Sequence, residues 1–230
     1  MIIYCMSDIH GCLAEFEDAL SLVLDDIEQG KAKLVLLGDY IHGGPDNRGV
    51  LDRIMKLRER FGSDRIIALL GNHDEWVVNG SSTISNNSVY ARIEEWEDES
   101  DDDEYINWLS SLPLYYVEGN TIFVHAGIDE EAGDMWEWET SEDVFTSKYT
   151  AETGKIEGLD MKVVAGHVGT AEISGDKFFH DIYFDGESHY YIDGTVLDSG
   201  VIPVLMVDTE NDKYYQVTDS GKRLIEPYEE

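Results

Sequence analysis

The sequence predicts an α/β fold in which a largely parallel sheet is flanked by helices. Apolar runs typical of buried strands stand at residues 2–6, 34–37 and 66–70. Between them, residues 13–27 and 50–61 carry apolar side chains at the three- and four-residue spacing of an amphipathic helix. Strands that alternate with helices in this way form βαβ units with helices on the sheet faces.

The second half of the chain is richer in strand patterns. The segment DTEND at residues 208–212 is typical of a hairpin connection. Because helices concentrate early and strands late, we expect two stacked sheets, one of them better covered by helices than the other. The candidate strands of this half are residues 121–124, 162–165, 190–192, 202–207 and 214–217.

A dense acidic run, EEWEDESDDDE, occupies residues 94–104, and a helical pattern follows over residues 105–112. We interpret the run as a solvated helix end or a loop. The alternative is a regulatory or metal-collecting surface. Because no part of the 230-residue chain resembles a linker, we expect a single domain over residues 1–230, with a helical and acidic cap segment around residues 80–112.

Composition limits the partners of the protein. The 230 residues include 49 acidic and 16 basic ones, for a formal net charge of -33. Such a surface repels nucleic acid phosphates and anionic membranes, so we expect neither as a partner. The N-terminal segment has no basic region followed by a long apolar stretch, and the two cysteines offer no disulfide framework. We expect a cytoplasmic protein.

Five apolar runs end in side chains that bind metals. The carboxyl ends of neighbouring strands in α/β sheets meet in one crevice, so these distant positions can converge. Carboxylate, imidazole and amide donors without thiolate suit manganese, iron(II) or zinc. Their number suits two ions bridged by one carboxylate. The candidate ligands are Asp8, His10, Asp39, Asn72, His125 and His167.

Seven short motifs occur in order along the chain. They are SDIHG (7–11), GDY (38–40), GPDNRG (44–49), GNHD (71–74), WLSSLPLYY (108–116), HAGI (125–128) and GH (166–167). These motifs resemble those of the calcineurin-like metallophosphoesterases, and the nearest likeness is to the branch that contains lambda-type serine/threonine phosphatases and symmetrical diadenosine tetraphosphatases. The resemblance implies a four-layer αββα sandwich of two mixed β-sheets flanked by helices.

The resemblance also implies roles for individual residues. Asp8 and His10 would hold the first metal, and Asp39 would bridge both. Asn72, His125 and His167 would complete the second metal site. His73 would donate a proton to the leaving oxygen, and a metal-bound hydroxide would attack the phosphorus directly.

The second motif departs from the family pattern. His42, Gly43 and Gly44 stand where relatives carry an aspartate, which orients the proton donor, and an arginine, which binds phosphate. Replacement of that arginine by Arg48, Arg53 or Arg92 is one option. We predict that His42 either fills the space of the aspartate or lies against His73 and disfavours its protonation. We count His42, with Asp39 and His73, among the catalytic candidates.

The sequence favours a manganese-dependent serine/threonine protein phosphatase-like phosphomonoesterase, with a phosphorylated protein or a small phosphoester as its substrate. One alternative is a dinucleoside polyphosphate hydrolase such as a diadenosine tetraphosphatase. A third, of another class, is a metal-binding pseudophosphatase that keeps the ions and has lost catalysis.

Overall fold

The computed structural model describes residues 1–85 and 102–229. Its strands are β1 (Ile2–Met6), β2 (Ala32–Leu36), β3 (Ile66–Ala68), β4 (Tyr115–Glu118), β5 (Thr121–Val124), β6 (Lys162–Ala165), β7 (Tyr183–Phe184), β8 (His189–Tyr191), β9 (Val204–Asp208), β10 (Lys213–Thr218) and β11 (Gly221–Leu224). Its helices are α1 (Leu13–Ser21), α2 (Leu24–Glu28), α3 (Asn47–Phe61), α4 (Asn72–Val78), α5 (Asp103–Leu109), α6 (Trp136–Glu139), α7 (Glu142–Ser147), α8 (Thr170–Ser174) and α9 (Val196–Ser199), and a 3-10 helix spans Glu130–Met135.

The strands form two mixed sheets. The first has the order β11-β10-β9-β1-β2-β3. In it β1, β2 and β3 run parallel, and each of β9, β10 and β11 pairs antiparallel with the strand before it in space, counting outward from β1. The second has the order β4-β5-β6-β8-β7, with a parallel centre and an antiparallel strand at each edge. The predicted hairpin at residues 208–212 is confirmed as the connection between β9 and β10.

The two sheets pack face to face. Alternate residues of β1 separate the two sides: Ile3 and Cys5 belong to the core between the sheets, whereas Tyr4 and Met6 pack under the helices. A third apolar cluster covers the outer face of the second sheet. Because both faces of β1 are buried, its sequence IIYCM contains no charged residue. The four layers confirm the predicted αββα sandwich.

Some element boundaries differ from the prediction. The amphipathic stretch 13–27 forms two helices because tight bonds from Leu22 to Ala19 and from Val23 to Leu20 end α1. The helical pattern at 105–112 is part of α5, which ends at Leu109. Strands β4, β7 and β11 lie at or near sheet edges and lack a long apolar run.

About half of the expected cap segment, residues 86–101, lies outside the described residues. Of the acidic run, residues 94–101 lie outside them, Asp102 directly precedes α5, and residues 103–104 begin that helix. Across the described ranges, 1–85 and 102–229, no helix has both the length and the apolar character needed to span a membrane.

Candidate metal centre

The segments that follow β1 and β2 run side by side beyond the strand ends. The backbone N–H of Asp8 donates to the carbonyl oxygen of Gly38, and that of His10 donates to the carbonyl oxygen of Asp39. This pairing sets Nε2 of His10 3.9 Å from Asp8 Oδ1 and 3.8 Å from Asp39 Oδ2. Three predicted ligands are thereby brought together.

The other three predicted ligands converge on the opposite side of Asp39. Oδ1 of Asn72 lies 3.0 Å from Nε2 of His125 and 3.1 Å from Nδ1 of His167. Nε2 of His125 lies 3.5 Å from Oδ1 of Asp39. The carboxylate of Asp39 therefore faces one group of donors with each oxygen.

The distances between donor atoms suit shared ions. Two donor atoms that bind the same ion, each at about 2.1 Å, can be at most about 4.2 Å apart. The donor-to-donor distances given above all lie below that limit. Within residues 1–85 and 102–229, two three-residue groups have donor atoms close enough to hold a metal, and Asp39 belongs to both. One group adds His10 and His73, and the other adds His125 and His167.

Asp74 holds together two of the segments that carry the candidate ligands, a role that sequence reasoning missed. Its side chain is fully buried and accepts hydrogen bonds from the backbone N–H groups of Asp39, Tyr40 and Gly71. These bonds join the segment after β2 to the start of α4. The sequence does place Asp74 in the motif GNHD, directly after the candidate ligand Asn72 and the candidate proton donor His73.

Glycine is required where these segments approach each other. A Cβ on Gly166 would lie 2.1 Å from Ser7 Oγ and 2.2 Å from Asp8 Oδ2. A Cβ on Gly71 would lie 2.3 Å from Oδ1 of Asp39. Both values are far inside van der Waals contact. Because Gly71 and Gly166 have no side chain, the backbone before Asn72 can approach Asp39, and the backbone before His167 can approach Asp8.

Five predicted site residues have a left-handed backbone. The φ angles of Asp8, His10, Asp39, His42 and His167 lie between 49° and 76°. They are five of the seven non-glycine residues with positive φ in the part of the chain that the structure describes. Such conformations cost on the order of 1 kcal/mol or more each and are concentrated at functional sites.

Four buried carboxyl groups share the site. Burial raises the pKa of Asp8 to about 6 and those of Asp74 and Asp193 to about 7. Burial, with the charges of Asp8 and Asp74, raises the pKa of Asp39 well above its usual range. Among residues 1–85 and 102–229, no lysine or arginine forms an ion pair with any of the four. This donor set fits divalent cations, which would neutralise the buried charge.

Asp193 is a second site residue that sequence reasoning missed. It follows β8 in the sequence YYIDG, so it is a further polar residue at a strand end. One carboxylate oxygen accepts a 2.7 Å hydrogen bond from the backbone N–H of Thr195. The charge of Asp8 contributes to the raised pKa of Asp193, and the charge of Asp193 acts to raise the pKa of His10. The signal was weaker here because Asp193 belongs to none of the quoted motifs.

His10 is oriented as a metal ligand. Its Nδ1 lies 3.2 Å from the carbonyl oxygen of Ile41 and 3.1 Å from that of His42, so Nδ1 carries the proton. Nε2 then has a free lone pair directed at Asp8 and Asp39. Backbone carbonyls fix metal-binding histidines in this way in many proteins.

His42 and His73 are in direct contact. Their Nδ1 atoms lie 3.0 Å apart, and Nε2 of His73 lies 4.0 Å from Asp39 Oδ2. The indole of Trp76 packs 4.3 Å from the His73 ring. Burial lowers the pKa of His73 to about 3, and charges on His10, His42 and His167 act in the same direction.

The arginines considered as substitutes are engaged elsewhere. Arg48 forms an ion pair with Asp102 at 2.9 Å, and Arg53 forms one with Glu17 at 2.7 Å. Arg92 lies outside the described residues. A phosphate-binding role therefore has no support at Arg48 or Arg53.

Proteins of known name are similar to part of this chain. The symmetrical bis(5'-nucleosyl)-tetraphosphatase of Nitrosospira multiformis is 37% identical over 131 residues, which are 56% of this chain and 44% of the relative. The enzyme of that name from Enterobacter sp. strain 638 is 32% identical over 145 residues, which are 62% of this chain and 48% of the relative. The matched part thus spans under half the length of these curated relatives.

A solved structure shares the fold over nearly the whole chain. A cold-active protein tyrosine phosphatase superposes with a TM-score of 0.69 over 98% of this chain and 79% of its own, at 15% sequence identity. At that identity the likeness concerns the fold alone. The sequence model of the calcineurin-like phosphoesterases matches residues 1–201. The chain belongs to the calcineurin-like phosphoesterase family.

Proposed function

We propose that the protein is a phosphoesterase that holds two divalent metal ions. The observation that carries the proposal is the position of Asp39, whose two carboxylate oxygens face two separate groups of donors. When bound, a pair of ions lowers the pKa of a water molecule and stabilises negative charge on phosphate oxygens.

The side chains divide into two sets around Asp39. In the proposal, Asp8, His10 and Asp39 hold one ion, and the remaining ligands hold the other with Asp39: Asn72, His125 and His167. The mixture of oxygen and imidazole donors suits manganese, iron(II) or zinc, and of these we propose manganese. His73 donates a proton from Nε2 to the leaving oxygen, because Nε2 is the ring atom that faces Asp39.

We infer that the substrate is a dinucleoside polyphosphate that is cleaved symmetrically. The names of the curated relatives support this substrate over the phosphoprotein that the sequence alone favours. The negative surface and the engaged arginines are the opposing observation, because a polyphosphate carries several charges. They favour a second candidate, the hydrolysis of a phosphomonoester with fewer charges.

A substrate panel separates these candidates. The manganese-loaded protein is assayed with diadenosine tetraphosphate, a phosphopeptide, an aryl phosphate and an aryl phosphodiester, with the chelated protein as the blank. We expect the highest kcat/KM for the dinucleotide, with ADP as its only product. A higher value for the phosphopeptide or the aryl phosphate would select the second candidate. Tight metal binding without hydrolysis of any of the four would indicate a pseudophosphatase and contradict both.

A further inference from the structure

His42 lies between the loop that follows α4 and the ring of His73. Its Nδ1 lies 3.0 Å from Nδ1 of His73, and its Nε2 lies 3.1 Å from the carbonyl oxygen of Thr83. A carbonyl oxygen can only accept a hydrogen bond, so Nε2 of His42 must carry the proton in that contact. The loop therefore determines which nitrogen of His42 is protonated.

That choice determines the proton position on the second ring. A neutral imidazole carries one N–H, so the Nδ1 of His42 is left with a lone pair. Two lone pairs at 3.0 Å would repel each other, and His73 must therefore donate from its own Nδ1. In neutral His73, Nε2 is then unprotonated, and it lies 4.0 Å from Asp39 Oδ2.

We propose that His42 is a positioning residue that fixes the tautomer and orientation of His73, so that Nε2 of His73 is the ring atom presented to the leaving oxygen. The inference rests on the proton-donor role proposed above. In that step a hydroxide oxygen bonds to phosphorus, the bond between phosphorus and the leaving oxygen breaks, and the Nε2 proton of cationic His73 passes to the leaving oxygen. The ring becomes neutral, keeps its Nδ1–H bond to His42 and takes up its next proton from water.

The surroundings hold His42 in place for this task. Its backbone N–H donates to Asn47 Oδ1 at 3.0 Å, and Nδ2 of the same Asn47 donates to the carbonyl oxygen of Ile84 at 2.6 Å. One side chain thus fastens both His42 and the loop that carries the Thr83 carbonyl. Ser82 Oγ, at 3.3 Å from Nε2, is a weaker contact of His42.

The role differs from that of an aspartate at the same place. The motif that this chain resembles has an aspartate there, which would accept the Nδ1–H bond with a full negative charge. A neutral imidazole accepts the same bond without adding that charge. The substitution of His for Asp thus preserves the geometry of the contact while changing its electrostatics.

The test is nitrogen NMR of the imidazole rings in the full chain. Spectra are recorded at about pH 8.5, about two units above the ordinary pKa of histidine, so that the rings are neutral. They are measured on the zinc-loaded protein, since zinc is diamagnetic, and again after chelation. Patterns of coupling between ring nitrogens and carbon-bound protons distinguish the two tautomers. This readout requires no turnover, so it succeeds or fails independently of the proposed function.

We expect the Nε2–H tautomer for His42 and the Nδ1–H tautomer for His73. In His42→Ala, His73 should shift toward the Nε2–H form that free imidazole side chains prefer. His42→Asp, which supplies an acceptor, should restore the Nδ1–H form. Ser82→Ala is the matched control and should leave both rings unchanged, because the Thr83 carbonyl remains. An Nε2–H form of His73 in the wild type, or no shift in His42→Ala, would overturn the proposal.

Kinetics give a second readout on the best substrate of the panel. A positioned acid contributes roughly 10²- to 10⁴-fold to the rate, so loss of its orientation in His42→Ala should lower kcat by about tenfold or more. KM should change little, and His42→Asp should recover most of the loss. An equal loss in both variants would indicate a structural role for His42 and contradict the inference.

Discussion

The backbone N–H of Asp39 donates a 2.8 Å hydrogen bond to the buried carboxylate of Asp74. The same carboxylate also accepts from Tyr40 and Gly71, so it holds the proposed bridging ligand and the start of α4 in one arrangement. Asp74 thereby contributes to both the stability of the fold and the geometry of the site.

Replacement of Asp74 should affect both properties. Asp74→Ala leaves three buried N–H groups without an acceptor, at about 1 to 3 kcal/mol each, so we expect the free energy of unfolding to fall by roughly 3 kcal/mol or more. Metal affinity should fall by about 10- to 100-fold. Denaturant unfolding and metal titration measure the two effects. Asp74→Asn, which keeps one acceptor oxygen, should be milder, and equal effects in the two variants would contradict this account.

Replacement of Gly166 tests whether metal binding requires the close contact between its backbone and Asp8. In Gly166→Ala the new Cβ would overlap with Asp8 Oδ2 and Ser7 Oγ, so Asp8 must move away from His167. We expect weaker metal binding by about tenfold or more, since ligand positions are sensitive to such shifts. Calorimetric titration measures the affinity. Wild-type affinity in this variant would show that the site tolerates displacement of Asp8.

His189 should make stability depend on pH. Burial lowers its pKa, but hydrogen bonds to Asp185 and Glu130 outweigh burial and raise it to about 9. Lys148, with Glu152, also borders Glu130. Because the folded value exceeds the ordinary value of about 6.5, charged His189 stabilises the fold fully below pH about 6.5, and this contribution is lost as pH rises through about 9.

The matched variant for this effect is His189→Gln. The difference in unfolding free energy between wild type and variant should shrink by roughly 3 kcal/mol from below pH about 6.5 to above about 9. Denaturant unfolding across that range measures it. A difference that is constant with pH would mean that His189 is not charged in the folded protein.

Arg48 should not be a phosphate-binding residue. It is engaged with Asp102 at 2.9 Å and makes a second hydrogen bond to the same oxygen through Nε. We expect Arg48→Gln to change KM for the best substrate by less than about twofold, because a half-exposed ion pair contributes little. Initial-rate kinetics check this. An increase of KM by about tenfold or more would assign Arg48 to substrate binding.

Much of the site could be predicted from sequence because its ligands follow strand ends. Asp8, Asp39 and His125 each follow an apolar run that predicts a strand. The carboxyl ends of parallel strands lie at the same edge of a sheet, so the sequence predicts that these residues lie near one another. Asp193 follows β8, a strand of only three residues, and the role of Asp74 depends on three backbone N–H groups from two segments. Such contacts have no local pattern. The order of strands in the sheet was likewise unpredictable, since β1 pairs with β9 although most of the chain separates them in sequence.

The most direct test of the central claim is the number of metal ions bound per chain in the wild type and in Asp39→Asn. The exposed Asp160 provides a matched control, Asp160→Asn. Manganese titration followed by elemental analysis of the dialysed proteins gives the count. We predict two ions in the wild type and in Asp160→Asn, and loss of tight binding with loss of hydrolysis in Asp39→Asn. Two tightly bound ions and wild-type turnover in Asp39→Asn would contradict the account.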